Sequence, residues 1–377
     1  MKFPVRKENL VSVLQKVINI VPVRSTLQIL SNIHVRVDGS TLSVRATDLD
    51  LSIHTSVEIK PVPKSRDFIV NARKFFDIVK ELPETDIELE LDASGLLRIA
   101  TAQDEFKLPI QSPDEFPENP DFNEVSRFTL KGGVLDEMST RVRFATARDT
   151  TRVALKGVLC ELEGSVLRMV ATDGHKLSLC KEEGVAVSGS DKISLILPPK
   201  ALDHLSKILI HGDEEVAVRV GKLYAQFIVK NTVLTTKLIE GEYPNYEEAI
   251  PKKSEKKGVV RRDELFAALK RISVMSNSRT RQVRFAFNAN TLTITTSDRD
   301  FHGEGRSAVT VKYEAEPLTI GFNADFFIEI LRLLDSEEVV IGMNTPLSAT
   351  LILPSGTEQD DKALFLIMPL RLLDEEA

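Results

Sequence analysis

The chain has 377 residues, 42% of them apolar and 28% charged, with a formal net charge of −7. This is the composition of an ordinary soluble protein, and the length allows two or three domains rather than a fibrous or disordered chain. The opening MKFPVRKENL has no apolar signal core, and no apolar run approaches the roughly 20 residues that span a bilayer. The two cysteines, Cys160 and Cys180, make no disulfide framework, so a reducing cytoplasm without membrane attachment is expected.

From the N-terminus, Leu10, Val13, Leu14 and Val17 have the spacing of one buried helical stripe. Residues 33–48 then alternate apolar and polar side chains on either side of Asp38-Gly39, which predicts a β-hairpin. A strand and a helix follow in residues 68–82, with Phe75, Ile78, Val79 and Leu82 as the apolar face. Residues 112–126 are rich in proline and acid and read as a linker.

The middle third repeats this order. A weaker stripe holds Val134 and Met138 but is interrupted by Glu137 and Arg141; a hairpin in residues 158–173 turns at Glu163-Gly164; a strand and helix in 195–209 carry Leu202, Leu205 and Leu209. A second linker covers residues 241–258. The last third has Leu265, Ala268, Leu269 and Ile272 on its first helix, a hairpin in 283–298 turning at Ala289-Asn290, and a strand and helix in 319–334 built on Phe327, Ile330, Leu331 and Leu334.

The three hairpins align without a gap at a spacing of 125 residues, and each closes on a small residue, a hydroxyl and an aspartate: Ala46-Thr47-Asp48, Ala171-Thr172-Asp173 and Thr296-Ser297-Asp298. A finer echo at 65 residues carries Phe3, Val5 and Leu10 onto Phe68, Val70 and Phe75. The expected fold is therefore α+β: three similar domains, at 1–125, 126–251 and 252–377, each made of two strand–helix–three-strand units.

Enzymatic signatures are missing. The sequence has no Walker loop, no G-x-G-x-x-G and no G-x-S-x-G, and its six histidines stand singly. The pairs Asp48/Asp50 and Asp298/Asp300 read either as oxygen ligands for a divalent cation or as turn formers; the middle copy has Asp173-Gly174-His175 instead. One position of the second helix is basic in every copy, at Lys80, Lys207 and Arg332, with Lys16, Lys270 and Arg271 added by the first helices. Such residues form either a solvated face or a surface that holds phosphates without reading sequence.

Thr26-Leu27-x-Ile29-Leu30-x-Asn32, Asn71-Ala72-Arg73-Lys74-Phe75-Phe76, Ala171-Thr172-Asp173-Gly174-His175-Lys176-Leu177 and the terminal Met368-Pro369-Leu370-Arg371-Leu372 resemble the bacterial DNA polymerase III β subunit family, the β sliding clamps, along essentially the whole chain. The resemblance implies a DNA clamp fold in which two chains close head to tail, helices line a ring around double-stranded DNA, and sheets form the rim. It implies no catalysis, no metal and no cofactor, since nucleotidyl transfer belongs to the partner polymerase. The implied partners are replicative and translesion DNA polymerases, the clamp loader, mismatch-repair proteins and ligase.

The resemblance places DNA contacts at Arg24, Arg73, Lys80, Lys207 and Arg332; in the corresponding middle loop this chain departs from the family, with Arg148-Asp149 and Val153-Ala154 where some relatives carry a glutamine and paired tyrosines. It places a peptide cleft at Leu155, Thr172, Gly174, His175, Leu177, Pro244, Leu347, Met368, Pro369, Leu370 and Arg371. From the residues alone, 368–372 read equally as a final buried strand. It assigns dimer contacts to Lys74, Phe106, Leu108, Val274 and Met275, with Asp298, Asp300 and Glu304 facing Lys74 and Lys107. Two other functions compete: a metal-dependent nuclease or transferase using the aspartate pairs, and a monomeric peptide-binding scaffold.

Overall fold

The computed structural model describes residues 1–92, 94–190, 192–209, 212–298, 303–355 and 362–372. Arg299, Asp300, the side chain of Asp298 and the acidic tail 373–377 lie outside the described residues. The strand–helix–three-strand unit occurs six times. The first is β1 (Lys2–Arg6), α1 (Lys7–Ile18), β2 (Asn32–Asp38), β3 (Thr41–Thr47) and β4 (Leu51–Glu58); the second is β5 (Arg66–Asn71), α2 (Ala72–Glu81), β6 (Asp86–Leu91), β7 (Leu96–Ala100) and β8 (Glu105–Gln111). The third is β9 (Ser126–Lys131), α3 (Gly132–Arg143), β10 (Val158–Glu163), β11 (Val166–Thr172) and β12 (Lys176–Glu182), followed by the short β13 (Ala186–Gly189). The fourth is β14 (Lys192–Leu197), α4 (Pro199–Ile208), β15 (Glu215–Val220), β16 (Tyr224–Val229) and β17 (Thr232–Lys237). The fifth is β18 (Lys256–Arg261), α5 (Arg262–Ser273), β19 (Gln282–Asn288), β20 (Thr291–Asp298) and β21 (Gly303–Tyr313); the sixth is β22 (Leu318–Asn323), α6 (Ala324–Leu333), β23 (Glu338–Met343), β24 (Thr350–Pro354) and β25 (Ala363–Ile367).

All strand pairing is antiparallel, and sister units exchange their first strands. β1 joins β6 and β5 joins β2; β9 joins β15 and β14 joins β10; β18 joins β23 and β22 joins β19. Two further seams extend the sheets, β4 on β17 and β12 on β25. The chain thus divides into two compact units, Met1–Asp136 with Val185–Asp191 and Lys200–Leu238, and Glu137–Gly184 with Lys192–Pro199 and Ile239–Ala377. The first holds a 13-stranded sheet and the second a 12-stranded one.

The helices bury the stripes that their periodicity demands. Leu10, Val13, Leu14 and Val17 face inward on α1, which packs on α2; Leu265, Ala268, Leu269 and Ile272 do so on α5, which packs on α6. The middle copy corrects the sequence reading. The buried side chains of α3 are Leu135, Met138, Ser139 and Val142, after the buried Gly132 at its start, so the stripe is complete and lies one position beyond the expected Val134. Adding 125 to the α1 stripe gives these four positions; Ser139 standing for a leucine concealed the register. On α4, Ile208 is buried where Leu209 was expected to be, and Leu209 is only half-buried. The hairpin turns fall where expected, with Gly39, Gly164 and Asn290 at positive φ (56°, 60° and 62°). In the last copy the left-handed position moves on by one, because Ala289 carries a Cβ that disfavours it.

Candidate functional site

The Thr-Asp ending of the first two hairpins is a turn device. In the second compact unit, Thr172 Oγ1 donates to the Lys176 carbonyl at 2.7 Å and accepts from Gly174 N–H at 3.1 Å. Asp173 Oδ1 accepts from the His175 and Lys176 amides, both at 2.8 Å. In the first unit the same bonds recur: Thr47 Oγ1 donates to the Leu51 carbonyl (3.1 Å) and accepts from Leu49 N–H (3.0 Å), while Asp48 Oδ1 accepts from Asp50 N–H (3.1 Å) and Leu51 N–H (2.8 Å). The other oxygen of Asp48 meets the Lys200 ammonium. Of the two readings of Asp48/Asp50, turn former is the one whose bonds are made. Among the described residues no cluster of three metal-ligating side chains occurs.

The turn at Gly174 (φ 89°) presents His175 at the end of β12, which pairs with β25 through Lys176 and Ile367. Met368 N–H then donates to the His175 carbonyl at 2.7 Å. Thr350 of β24 pairs with Ile367, so the turn carrying Leu347 leaves the same end of the sheet. Residues distant in sequence (Gly174, His175, Leu347 and Met368) are thereby gathered along one sheet end, and all four are exposed. Beneath them Leu177, Leu159, Val170, Leu351 and Leu366 form a buried apolar cluster with Ala154 and Tyr246.

The other sequence-predicted cleft residues take different places. Thr172, Leu155 and Leu177 are buried. Pro369 and Leu370 are half-buried and Arg371 is exposed, in a segment held against β22 by Leu370 N–H on the Gly321 carbonyl (2.8 Å) and against β19 by Gln282 Nε2 on the Arg371 carbonyl (3.2 Å). So residues 368–372 are neither a wholly buried strand nor a free end. Pro244 opens on a separate depression with Leu159, Glu161 and Ser194, and its neighbour Tyr243 accepts a 3.1 Å bond from Thr172 N–H.

Sequence reasoning missed Tyr243 and underread Lys176. The Lys176 ammonium is 2.7 Å from Glu329 Oε2 and lies over the rings of Phe326 (4.6 Å) and Phe144 (5.3 Å). It is 7% exposed, so it braces the floor instead of facing a ligand. Burial pushes the Tyr243 hydroxyl above its ordinary range, and it pushes the Cys160 and Cys180 thiols up to about 12, which leaves both cysteines inert.

In the first unit α1, α2 and α4 line a groove of about 830 Å³. The predicted Lys80 and Lys207 both border it, joined by Lys7 and Lys16. Lys7 pairs with Glu84 at 2.9 Å and Lys16 donates to Thr232 Oγ1 at 3.1 Å, and burial lowers the Lys16 pKa. His204 also borders the groove, yet burial and then Lys207 and Lys200 push its pKa down to about 4, so it adds no charge near neutrality. Arg24 and Arg73 are exposed but do not border this groove. In the second unit, the Arg332 guanidinium lies 5.8 Å from the Phe266 ring, beside the Lys270 ammonium at 5.4 Å.

Of the predicted contacts between chains, Lys74, Phe106, Val274 and Met275 are exposed. Leu108 is only 7% exposed: its side chain belongs to the chain's own core, which corrects the expectation of a surface leucine.

Among the described residues no helix is long and apolar enough to cross a membrane. Three family descriptions match in succession: DNA polymerase III beta subunit N-terminal domain (residues 1–120), central domain (129–245) and C-terminal domain (247–371). The chain is 30% identical to the beta sliding clamp of Haemophilus influenzae over 376 residues, covering 99% of this chain and all of that one. It is 32% identical to that of Salmonella typhimurium over 373 residues, with 99% and 100% coverage. A DNA polymerase sliding clamp crystal structure from Pseudomonas aeruginosa superimposes with a TM-score of 0.93 at 28% identity, covering 99% and 100% of the chains. A sliding clamp from Bartonella birtlesii bound to griselimycin does so at 0.92 and 30% identity, with the same coverage. The chain belongs to the DNA polymerase III beta subunit family, the beta sliding clamps, which serve DNA replication as processivity factors and not as catalytic subunits.

Proposed function

We propose that two copies of this chain close head to tail into a ring around duplex DNA, with domains at 1–125, 126–251 and 252–377. The ring tethers the replicative polymerase and docks translesion polymerases, the clamp loader, mismatch-repair proteins and ligase through the cleft bordered by His175, Leu347 and Met368. Lys80 and Lys207, with Arg24, Arg73 and Arg332, neutralise phosphates without reading bases, which lets the ring slide. Leu155, Thr172, Gly174, Leu177, Pro244, Pro369, Leu370 and Arg371 shape the cleft. Its adaptable apolar lip suits a short peptide.

One observation carries the ring: among the described residues two strand edges are half empty, and the internal repeats supply filled counterparts of the same edges. β8 pairs with β5 only at Ile110 and Gln111, and β21 pairs with β18 only from Val311 to Tyr313. Rows of paired residues across the sheets make Phe106 the counterpart of Leu234 and Phe365. Leu234 sits opposite Ile53 and Phe365 opposite Ser178, and both are fully buried at 0%, whereas Phe106 is 39% exposed. The hairpin alignment makes Gly305 the counterpart of Ile53 and Ser178.

The same seam between two copies sets Phe106 opposite Gly305, Glu105 opposite Arg306 and Lys107 opposite Glu304. Both charge pairs are of opposite sign. Met275 already lies over the two glycines, its Cε 2.8 Å from where a Gly303 Cβ would be, so Phe106 would enter beside Met275 and Val274. Open strand edges invite such pairing.

Charge reversal tests this reading. Lys107→Glu should raise the dimer dissociation constant about tenfold at low salt, and adding Glu304→Lys should restore it, read by sedimentation equilibrium. A dimer indifferent to the first change, or no recovery on adding the second, contradicts the register.

A further inference from the structure

Four lysines, Lys252, Lys253, Lys256 and Lys257, fall within six residues of the second linker and the start of β18. Three are exposed and Lys256 is half-buried, and among the described residues none of the four forms an ion pair. The chain as a whole is acidic, at −7, and the matching linker before β9 carries Asp114, Glu115, Glu118, Asp121 and Glu124 instead. The lysine run is therefore a local reversal of charge, in one linker only.

Its place is fixed. The Asn344 side chain accepts from Glu255 N–H at 2.7 Å and donates to the Lys253 carbonyl at 2.9 Å. Asn344 opens the turn that carries Leu347, which is stapled by Thr345 N–H on Ser348 Oγ at 2.8 Å. The register continues the line: Lys176 is opposite Ile367, Ile367 opposite Thr350, Leu351 opposite Gly342, and Met343 opposite Lys256. His175, Met368, the Leu347 turn and the lysines thus lie along one end of five adjacent strands. At about 4.8 Å per strand, roughly 19 Å separates His175 from the lysines. An extended peptide covers that distance in about six residues.

We infer that this lysine run is an electrostatic extension of the peptide cleft, which receives an acidic segment flanking the apolar docking residues of a partner protein. The inference rests on the cleft reading above. Continuity with the cleft and the sign of the charge favour an acidic peptide over nucleic acid, and no aromatic side chain interleaves the lysines for base stacking. The other end of the linker carries Glu242, Glu247 and Glu248, so the linker changes sign along its length and its basic end is the one tied to the Leu347 turn. Exposed charges of this kind act chiefly on encounter and on salt dependence.

The test uses the full-length protein and fluorescein-labelled versions of the docking peptide of its own replicative polymerase. The peptides carry four glutamates or four serines, placed five to seven residues from the apolar core on one end or the other. By anisotropy at 50 mM NaCl, glutamates on one end should tighten binding about fivefold over serines. Most of that gain should vanish at 500 mM NaCl. It should also vanish in the Lys252→Ser, Lys253→Ser, Lys256→Ser, Lys257→Ser variant, with serine-peptide affinity unchanged. Equal affinity for glutamate and serine peptides on the native chain, with binding still lost in Met368→Ala/Leu370→Ala, overturns the extension and leaves the cleft standing. Failure of every peptide to bind, or binding indifferent to Met368→Ala/Leu370→Ala, overturns both. A lysine-dependent affinity for an oligo(dT) probe without any glutamate gain assigns the run to nucleic acid and overturns the inference.

Discussion

Single residues show how one turn serves different ends. The Thr-Asp device is common to the first two hairpins, but its left-handed position is Gly174 in one and Leu49 in the other, at φ 89° and 84°. Leucine in that region suffers Cβ crowding worth roughly 1 kcal/mol, and Leu49 is 53% exposed, so little burial offsets it. Leu49→Gly should therefore raise unfolding stability by about 0.5–1 kcal/mol in urea titrations, and Gly174→Ala should lower it by a similar amount. A loss of stability in Leu49→Gly would mean that the leucine makes contacts that outweigh its strain. The Ala-Thr-Asp signature was legible in the sequence as a repeat. Its meaning was not: alternation shows where Asp48 sits, not which amides occupy its oxygens, and a metal ligand and a turn former look alike until those bonds are seen. The burial of Leu108 was hidden for a related reason, since neither periodicity nor motif tells which side of a sheet or loop a side chain joins.

Elements explain why the cleft exists. Six strand–helix–three-strand units were readable because their stripes recur at fixed spacing, and the α3 stripe failed only where Ser139 broke the apolar pattern. The exchange of first strands was not readable. It is a choice of partner between distant segments, and the local pattern is the same whichever sister unit a strand joins. That exchange matters for the terminal segment, which closes against β22. Gly321 permits it: a Cβ there would meet the Leu370 carbonyl at 2.6 Å and the Leu372 side chain at 2.8 Å. Gly321→Ala should push residues 368–372 off their path and weaken docking-peptide binding at least about tenfold, near 1.4 kcal/mol, while sedimentation still finds a dimer. Unchanged peptide affinity would show that the lip is set by the Met368–His175 hydrogen bond alone. The lysine run at 252–257 was visible in the sequence but read only as linker, because its tie to the Leu347 turn passes through Asn344, some 90 residues away.

For the whole molecule, net charge is a poor guide and its distribution a better one. A chain at −7 gathers Lys7, Lys16, Lys80 and Lys207 about a groove formed by three helices, and under the proposed function a phosphate backbone would meet that face rather than the sum. The half-empty edges of β8 and β21, with Phe106 alone exposed among three equivalent positions, are what the proposed second copy would complete. A closed ring holds DNA by topology and needs no tight contact; an open scaffold would hold it only by charge. These differ in one measurement. The protein is loaded on nicked circular DNA by its clamp loader, the circle is cut at a single site at 150 mM NaCl, and retention is followed by gel filtration. The account predicts stable retention on the circle and rapid loss from the linear ends, abolished when the ends are blocked by bound protein. Equal retention on circular and linear DNA would contradict it.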